Sequence, residues 1–230
     1  MVNLKKWEDL PEFMQTPEVR PYYEILKKKR LSLSLKRFFD VLNASILLVL
    51  LSPIMIITSI LIFIDSPGKI FYRQERVTTY GRKFYIHKFR TMVPNADKIG
   101  PKISVDNDSR ITKVGAFLRK YRIDEFPQLF DVLSGDMSFV GTRPEVSKYV
   151  DAYEKEMYAT LLLPAGITSR ASINYKDEAK LLESAENVDE TYIKKVLPGK
   201  MKYNLESIKK FSLFTDLLTM IETVIAVVKK

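Results

Sequence analysis

Two carboxylates and several arginines fall close together in one stretch of this chain. The run is Asp124-Glu125-Phe126-Pro127-Gln128-Leu129, followed by Gly135-Asp136-Met137-Ser138-Phe139-Val140-Gly141-Thr142-Arg143-Pro144. Asp124 and Glu125 stand at an expected helix start, with Arg119 shortly upstream and Arg143 after the turns at Gly135 and Gly141. Such a set can hold Mg2+ and a diphosphate together, because magnesium takes one or two carboxylates plus phosphate oxygens and the arginine fork matches phosphate bidentately. An aspartate can also act as a nucleophile through an aspartyl-phosphate, and a helix N-terminus with arginine nearby keeps it ionised. A structural purpose fits the same pair: Asp is a preferred N-cap and Glu suits a first helical turn. The dipeptide Asp-Glu recurs at Asp177-Glu178 and Asp189-Glu190, so alone it says little. An aspartate fully occupied in capping amides is a weak nucleophile, so the chemistry requires one free oxygen.

Composition narrows what else could act. The 230 residues suit one domain, or one domain plus a membrane element. There is no cysteine, which excludes disulfides, thiolate metal sites and cysteine nucleophiles. The one histidine, His87, rules out multi-histidine metal sites and disfavours a Ser-His-Asp triad. His87 itself reads as a packed or exposed strand residue and is left out of the chemistry. Carboxylates, arginines and lysines must carry any reaction. The net charge of +9 suits nucleic acid, anionic lipid or phosphorylated substrates without separating the three.

The elements that must position these groups begin with a nearly unbroken apolar run over residues 41–64, long enough to span a bilayer. It starts too far into the chain and is too long for a signal peptide. Ser52-Pro53 falls at its middle, where proline removes a helical hydrogen bond and serine re-satisfies a carbonyl. Basic residues flank both ends, with Lys27, Lys28, Lys29, Arg30, Lys36 and Arg37 before and Lys69, Arg73, Arg76, Arg82 and Lys83 after. The positive-inside rule places both flanks in the cytoplasm. A re-entrant hairpin bent at Ser52 and Pro53 meets that demand, and is favoured over a spanning helix with a tolerated proline.

Residues 1–30 are polar with scattered aromatics, and read either as a lead-in on the lipid headgroups or as a solvated extension. Segments 69–76 and 82–89 alternate in polarity and predict a β-hairpin around 78–81, bearing Arg73, Arg76, Lys88 and Arg90. Residues 95–108 read as a loop. Ser109 is the expected cap of a helix over about 110–122, and Asp124 of the next, which ends near Ser134-Gly135 with Pro127 in its first turn. Segments 146–163, 176–184 and 191–196 read as helical, and 164–168 as a turn. Residues 208–230 carry apolar side chains at helical spacing, which predicts an amphipathic helix shared between core and membrane surface.

Taken together, these motifs resemble the bacterial sugar transferase family, the monotopic phosphoglycosyl transferases. The similarity covers about residue 35 to the end of the sequence. It rests on Lys36-Arg37-Phe38-Phe39-Asp40, Ser52-Pro53, Arg73-Gln74-Glu75-Arg76 and Lys88-Phe89-Arg90-Thr91-Met92, and on the two runs that open this section. The resemblance implies the small form of the family, essentially its catalytic core. It implies a mostly helical α+β fold with an N-terminal re-entrant membrane hairpin, a small β-hairpin and interfacial amphipathic helices. The segments are then a lead-in at 1–34, the hairpin at 35–65 and a cytosolic catalytic domain at 66–230. Asp124 is implied as the nucleophile on the sugar-linked phosphate of a UDP-sugar, giving UMP and a phosphosugar-aspartate that undecaprenyl phosphate then attacks. Glu125 is implied as a Mg2+ ligand beside Asp124, and Arg119 and Arg143 as phosphate contacts. Lys88 and Arg90 are further phosphate-binding candidates. The implied location is the cytoplasmic face of the bacterial inner membrane, in contact with the lipid bilayer and without nucleic acid; self-association as a homodimer is compatible with the sequence but not specified by it.

The sequence departs from the family pattern at two places. Gly141-Thr142-Arg143-Pro144 stands where Gly-Pro-Arg-Pro is common, and Pro164-Ala165-Gly166-Ile167-Thr168-Ser169 where Pro-Gly-Ile-Thr-Gly is common. Arg143 is retained, while the second change leaves the sugar open. Two other classes compete: a membrane-anchored basic binding module, whose binding would be salt-sensitive and indifferent to Asp124, and a scaffold of a polysaccharide-assembly complex without turnover.

Overall fold

The computed structural model describes residues 4–96, 108–176, 178, 181 and 187–228. Helices dominate, with two separate two-stranded sheets among the described residues.

The N-terminal segment is not a plain solvated extension. Leu4, Leu10, Met14 and Val19 are buried, as are Tyr22, Tyr23 and Leu26 of helix α1 (Arg20–Lys28). They form one core with Tyr149, Leu162, Leu197 and Met201. Burying aromatic surface explains the result, since each such ring removes a large apolar area from water. Trp7 meets Tyr23 edge-on with ring centroids 5.1 Å apart, and the Arg20 guanidinium lies over Trp7.

Helix α2 runs from Arg30–Asp65 with Pro53 inside it. It is the one described helix long and apolar enough to cross a membrane. Ser52 Oγ donates to the carbonyl of Val49, a local partner of the kind a proline site calls for. Leu33, Lys36, Asp40, Ala44, Met55, Thr58 and Ile62 are buried at three- and four-residue steps either side of the half-buried Leu47, Leu48 and Leu51. One stripe of the helix therefore packs on the rest of the chain along its length, while Val49, Leu50, Ile57 and Ile64 stay exposed on other faces. Both ends are tied to the same body. Arg37 donates to the carbonyls of Val132 and Leu133, and Asp65 Oδ2 accepts from the amide of Val114 at 3.0 Å.

The expected β-hairpin is present as β1 (Phe71–Val77) and β2 (Lys83–Phe89), antiparallel with Phe71 opposite Phe89. Tyr80 and Gly81 turn the chain with positive φ. Helix α3 spans Lys113–Lys120 and is capped by Thr112, whose hydroxyl accepts from the amide of Gly115 at 3.0 Å, not by Ser109. Helix α4 spans Gln128–Ser134 and stops at Gly135, which takes the left-handed conformation. Strand β3 (Met137–Val140) follows. The expected helix over 146–163 is instead a short α5 (Ser147–Val150) and a 3-10 segment over Lys155–Leu162.

The segment read as a turn at 164–168 is strand β4 (Ala165–Thr168), parallel to β3. Gly166 permits this pairing: a Cβ there would sit 2.2 Å from the backbone of Gly141. Helix α6 (Arg170–Asn174) is capped by Ser169. Most of the helix expected over 176–184 lies outside the described residues. Helix α7 (Val188–Thr191) continues through a π turn at Tyr192–Val196 into α8 (Leu197–Lys209). That helix stops at Lys210 and a new one, α9 (Leu213–Val228), follows, so the single helix expected over 208–230 is, among the described residues, the end of one helix and a second helix. Phe214, Leu217, Ile221 and Val224 of α9 are exposed.

Candidate active site

The site is assembled where the end of β2, the end of α3 and the turn after β3 meet. Helix α3 ends at Lys120 with Tyr121 as its C-cap, and Arg122 then takes a left-handed conformation at φ 57°. This reversal throws the chain into a 3-10 turn over Ile123–Glu125. The α-helical segment proper starts only at Gln128, after Pro127. Asp124 is therefore not the N-cap the sequence suggested, and no capping hydrogen bond from its side chain is present. Its Oδ1 is buried without a hydrogen-bond partner. The carboxylate is thus not committed to capping amides, as nucleophilic chemistry demands.

Glu125 is the electrostatic hub. Its Oε1 accepts from Lys88 Nζ at 2.8 Å and from Arg143 Nη2 at 2.7 Å, with Arg122 Nη1 at 4.0 Å. Burial pushes the Glu125 carboxyl up, but Arg143, Lys88 and Arg122 together outweigh it and hold the group well below the usual carboxylate range. Asp124 goes the other way. Burial raises it first and the adjacent Glu125 charge second, against the pull of Lys88, Arg122 and Arg119. Two neighbouring carboxylates are thereby pushed apart, one firmly ionised and one poised, a pattern associated with functional sites. Burial also lowers Lys88, with Glu125 opposing, while Arg143 is raised, chiefly by Glu125.

The structure thus brings together Asp124, Glu125, Lys88 and Arg143. Arg119 stands alongside: its Nε donates to Thr91 Oγ1 at 2.9 Å, and its charge acts on Asp124. Arg90 is engaged elsewhere. It donates to the carbonyl of Ser66 just beyond α2, and Gly68, at φ 135°, leaves room for its guanidinium. Arg90 fixes the end of the apolar helix to the end of β2. Ser52 and Pro53 lie on α2, outside this constellation. His87 faces Asp131, with Nδ1 2.6 Å from Oδ1 and the backbone amide donating to Oδ2 at 2.9 Å.

Three participants escaped the sequence reading. Arg122 sits beside Glu125 only because of its left-handed turn. Thr91 orients Arg119 across a separation of 28 residues, a relation no local pattern encodes. Gln128 is fully buried with both amide atoms unpartnered, and its one sequence signal is its place four residues after Asp124. Among the described residues, no group of three or more His, Asp or Glu side chains gathers as a metal cage. Asp124 and Glu125 offer hard oxygen donors of the kind magnesium takes in ones and twos, and the Asp124 side chain is not spent on a helix cap.

A profile of the bacterial sugar transferase family matches residues 31–230, and the chain belongs to that family. It is 39% identical over 194 residues to a UDP-N-acetylgalactosamine-undecaprenyl-phosphate N-acetylgalactosaminephosphotransferase of Aeromonas hydrophila, covering 83% of this chain and 43% of the relative. It is 40% identical over 135 residues to a putative undecaprenyl-phosphate N-acetylgalactosaminyl 1-phosphate transferase of Bacillus subtilis (strain 168), covering 59% of this chain and 75% of the relative. Similarity to the exopolysaccharide production protein ExoY of Rhizobium meliloti (strain 1021) is 32% over 207 residues and covers 84% of each. The chain thus spans less than half the length of the Aeromonas relative.

Proposed function

We propose that this chain is a phosphoglycosyl transferase that moves a sugar 1-phosphate from a UDP-sugar to undecaprenyl phosphate and releases UMP. The observation that carries the proposal is an Asp124 carboxylate left out of helix capping beside a Glu125 held ionised by Lys88 and Arg143. In the first step an Asp124 oxygen forms a bond to the sugar-linked phosphorus. The bond from that phosphorus to the UMP oxygen breaks, and its electron pair leaves with UMP. In the second step an oxygen of undecaprenyl phosphate bonds to the same phosphorus, and the aspartyl bond breaks to return the carboxylate. Dividing the transfer in this way lets two bulky phosphates use one site in turn. Arg143, Arg119 and Lys88 supply positive charge for the phosphoryl oxygens.

Asp124 and Glu125 would hold Mg2+, which when bound offsets the charge of the diphosphate. Glu125 already shares Oε1 with two cations, so its other oxygen is the one left for the ion. The relatives' names support undecaprenyl phosphate as acceptor, and hence a membrane setting. The exposed apolar faces of α2 and α9 suit burial in lipid. A re-entrant α2 on the cytoplasmic side of the inner membrane accounts for both of its ends being tied to one body and for basic residues at both flanks.

The test is nucleotide release from a panel of UDP-sugars by detergent-solubilised protein with Mg2+, with and without undecaprenyl phosphate. UMP released with formation of a lipid-linked diphosphosugar, and lost in Asp124→Asn, is the expected outcome. UDP as the nucleotide product, or full activity in Asp124→Asn, would defeat the aspartyl mechanism.

A further inference from the structure

Gln128 is as buried as any residue in the chain, yet neither its amide nitrogen nor its amide oxygen has a hydrogen-bond partner. A buried primary amide carries two donors and an acceptor, and leaving them unmade is costly. The other buried polar residue of α4, Asp131, is satisfied by two hydrogen bonds from His87. The rest of the buried face is apolar, through Leu129 and Val132. Gln128 is therefore an exception within its own helix.

A second orphan lies one turn away. Asp124 Oδ1 is also buried and unpartnered. Phe126 (φ −55°, ψ −37°) and Pro127 (φ −62°, ψ −14°) are both right-handed helical, so the 3-10 turn runs on into α4. Its hydrogen bonds run from Glu125 to Arg122 and from Phe126 to Ile123, the three-residue step of a 3-10 turn, and Gln128 follows Asp124 by about one turn along this right-handed path. The terminal amide torsion of glutamine is soft, so a small rotation can turn Nε2 towards its neighbour.

We infer that Gln128 is a positioning residue for the Asp124 carboxylate, donating an N–H to Oδ1 when the donor substrate is bound. This inference rests on the proposed aspartyl mechanism. With Oδ1 held, the carboxylate plane is fixed and Oδ2 is aimed at the phosphorus. In the phosphosugar-aspartate, Oδ1 is the acyl oxygen. When the polyprenyl phosphate oxygen bonds to phosphorus and the Oδ2–P bond breaks, the electron pair returns to the carboxylate that the amide stabilises. The unmade hydrogen bonds of the resting state are those completed during reaction.

Gln128→Met keeps the volume and removes the polar atoms, so a space-filling role and a positioning role give different results. Single-turnover UMP release at saturating UDP-sugar and Mg2+ should slow about 10- to 100-fold, less than the roughly 100- to 1000-fold typical for a donor to the developing charge itself, because Gln128 acts through Asp124. The donor KM should stay near the wild-type value and the thermal midpoint should hold or rise. Wild-type turnover would overturn the inference, and so would a rate loss matched by a fall in thermal midpoint, which would mark a packing role. Asp124→Asn, measured in parallel, separates the two levels. If it remains active, the aspartyl mechanism itself fails. If it is dead while Gln128→Met is wild type, only the role of Gln128 fails.

Discussion

Glu125 holds two cations, so removing its charge should cost more than any one of its contacts suggests. In Glu125→Gln, Lys88 and Arg143 lose the carboxylate they share at 2.8 and 2.7 Å and face each other unscreened. Breaking a buried ion pair from one side costs about 3–5 kcal/mol, because the remaining charge stays desolvated. Here the side chains of Glu125, Lys88 and Arg143 keep 11%, 20% and 34% exposure. Water therefore absorbs part of the penalty, and about 2–3 kcal/mol is expected. For a chain of this size that lowers the thermal midpoint by about 4–12 °C. Lys88→Met alone leaves Glu125 paired with Arg143 and should cost only about 1 kcal/mol. The double variant removes the stranded lysine charge, so it should be no less stable than Glu125→Gln, with a coupling of about 1–2 kcal/mol. The assay is thermal unfolding in detergent micelles followed by the fluorescence of the single tryptophan, Trp7, which lies in the N-terminal core rather than at the site. Losses that simply add, to within about 0.3 kcal/mol, would refute the shared-carboxylate reasoning.

Asp124 and α2 give further outcomes. Because burial and the Glu125 charge raise Asp124, and only its ionised form attacks, UMP release should fall on acidification through a limb above the usual aspartate range. The raised folded-state value also means that stability drops as pH climbs from the unfolded value through the folded one, so Asp124→Asn should unfold at higher temperature than wild type at neutral pH; a flat profile down to about pH 4, or a less stable Asn variant, contradicts this. The chain lacks cysteine, so Leu31→Cys and Lys69→Cys, at exposed positions bracketing most of α2, can each be labelled singly with a membrane-impermeant maleimide. Both should react in inside-out vesicles and stay protected in intact cells with a permeabilised outer membrane, whereas labelling from opposite sides would establish a spanning helix.

Local signals in the sequence corresponded well to local structure. The alternation in 69–76 and 82–89 marked the hairpin, because side-chain period 2 is a property of the strand itself. The glycine after Ser134 marked the end of α4. Failures came where a distant partner decided the outcome. The segment at 164–168 carries turn residues, yet becomes a strand because β3 offers it a backbone edge and Gly166 permits close approach. Residues 1–30 read as headgroup-lying or solvated, but α8 and the segment around Tyr149 and Leu162 supply an apolar surface that buries Tyr22 and Tyr23. Ser109 has the right chemistry for a cap, but Thr112 stands where the helix begins.

At the site the division is sharper. The sequence by itself determined the chemical inventory: no thiol, one histidine, and a carboxylate pair with arginines on either side. It also identified the family, through motifs whose residue types do not depend on knowing their contacts. Only the tertiary structure decided which cations meet which carboxylate. Arg143 and Lys88 converge on Glu125, while Arg90 is drawn away to the end of α2. Tertiary structure alone left Asp124 uncapped and Gln128 unsatisfied. The physical reason is that ionisation and hydrogen-bond satisfaction depend on burial and on distances of a few ångströms between residues far apart in the chain, and spacing along the sequence does not specify either.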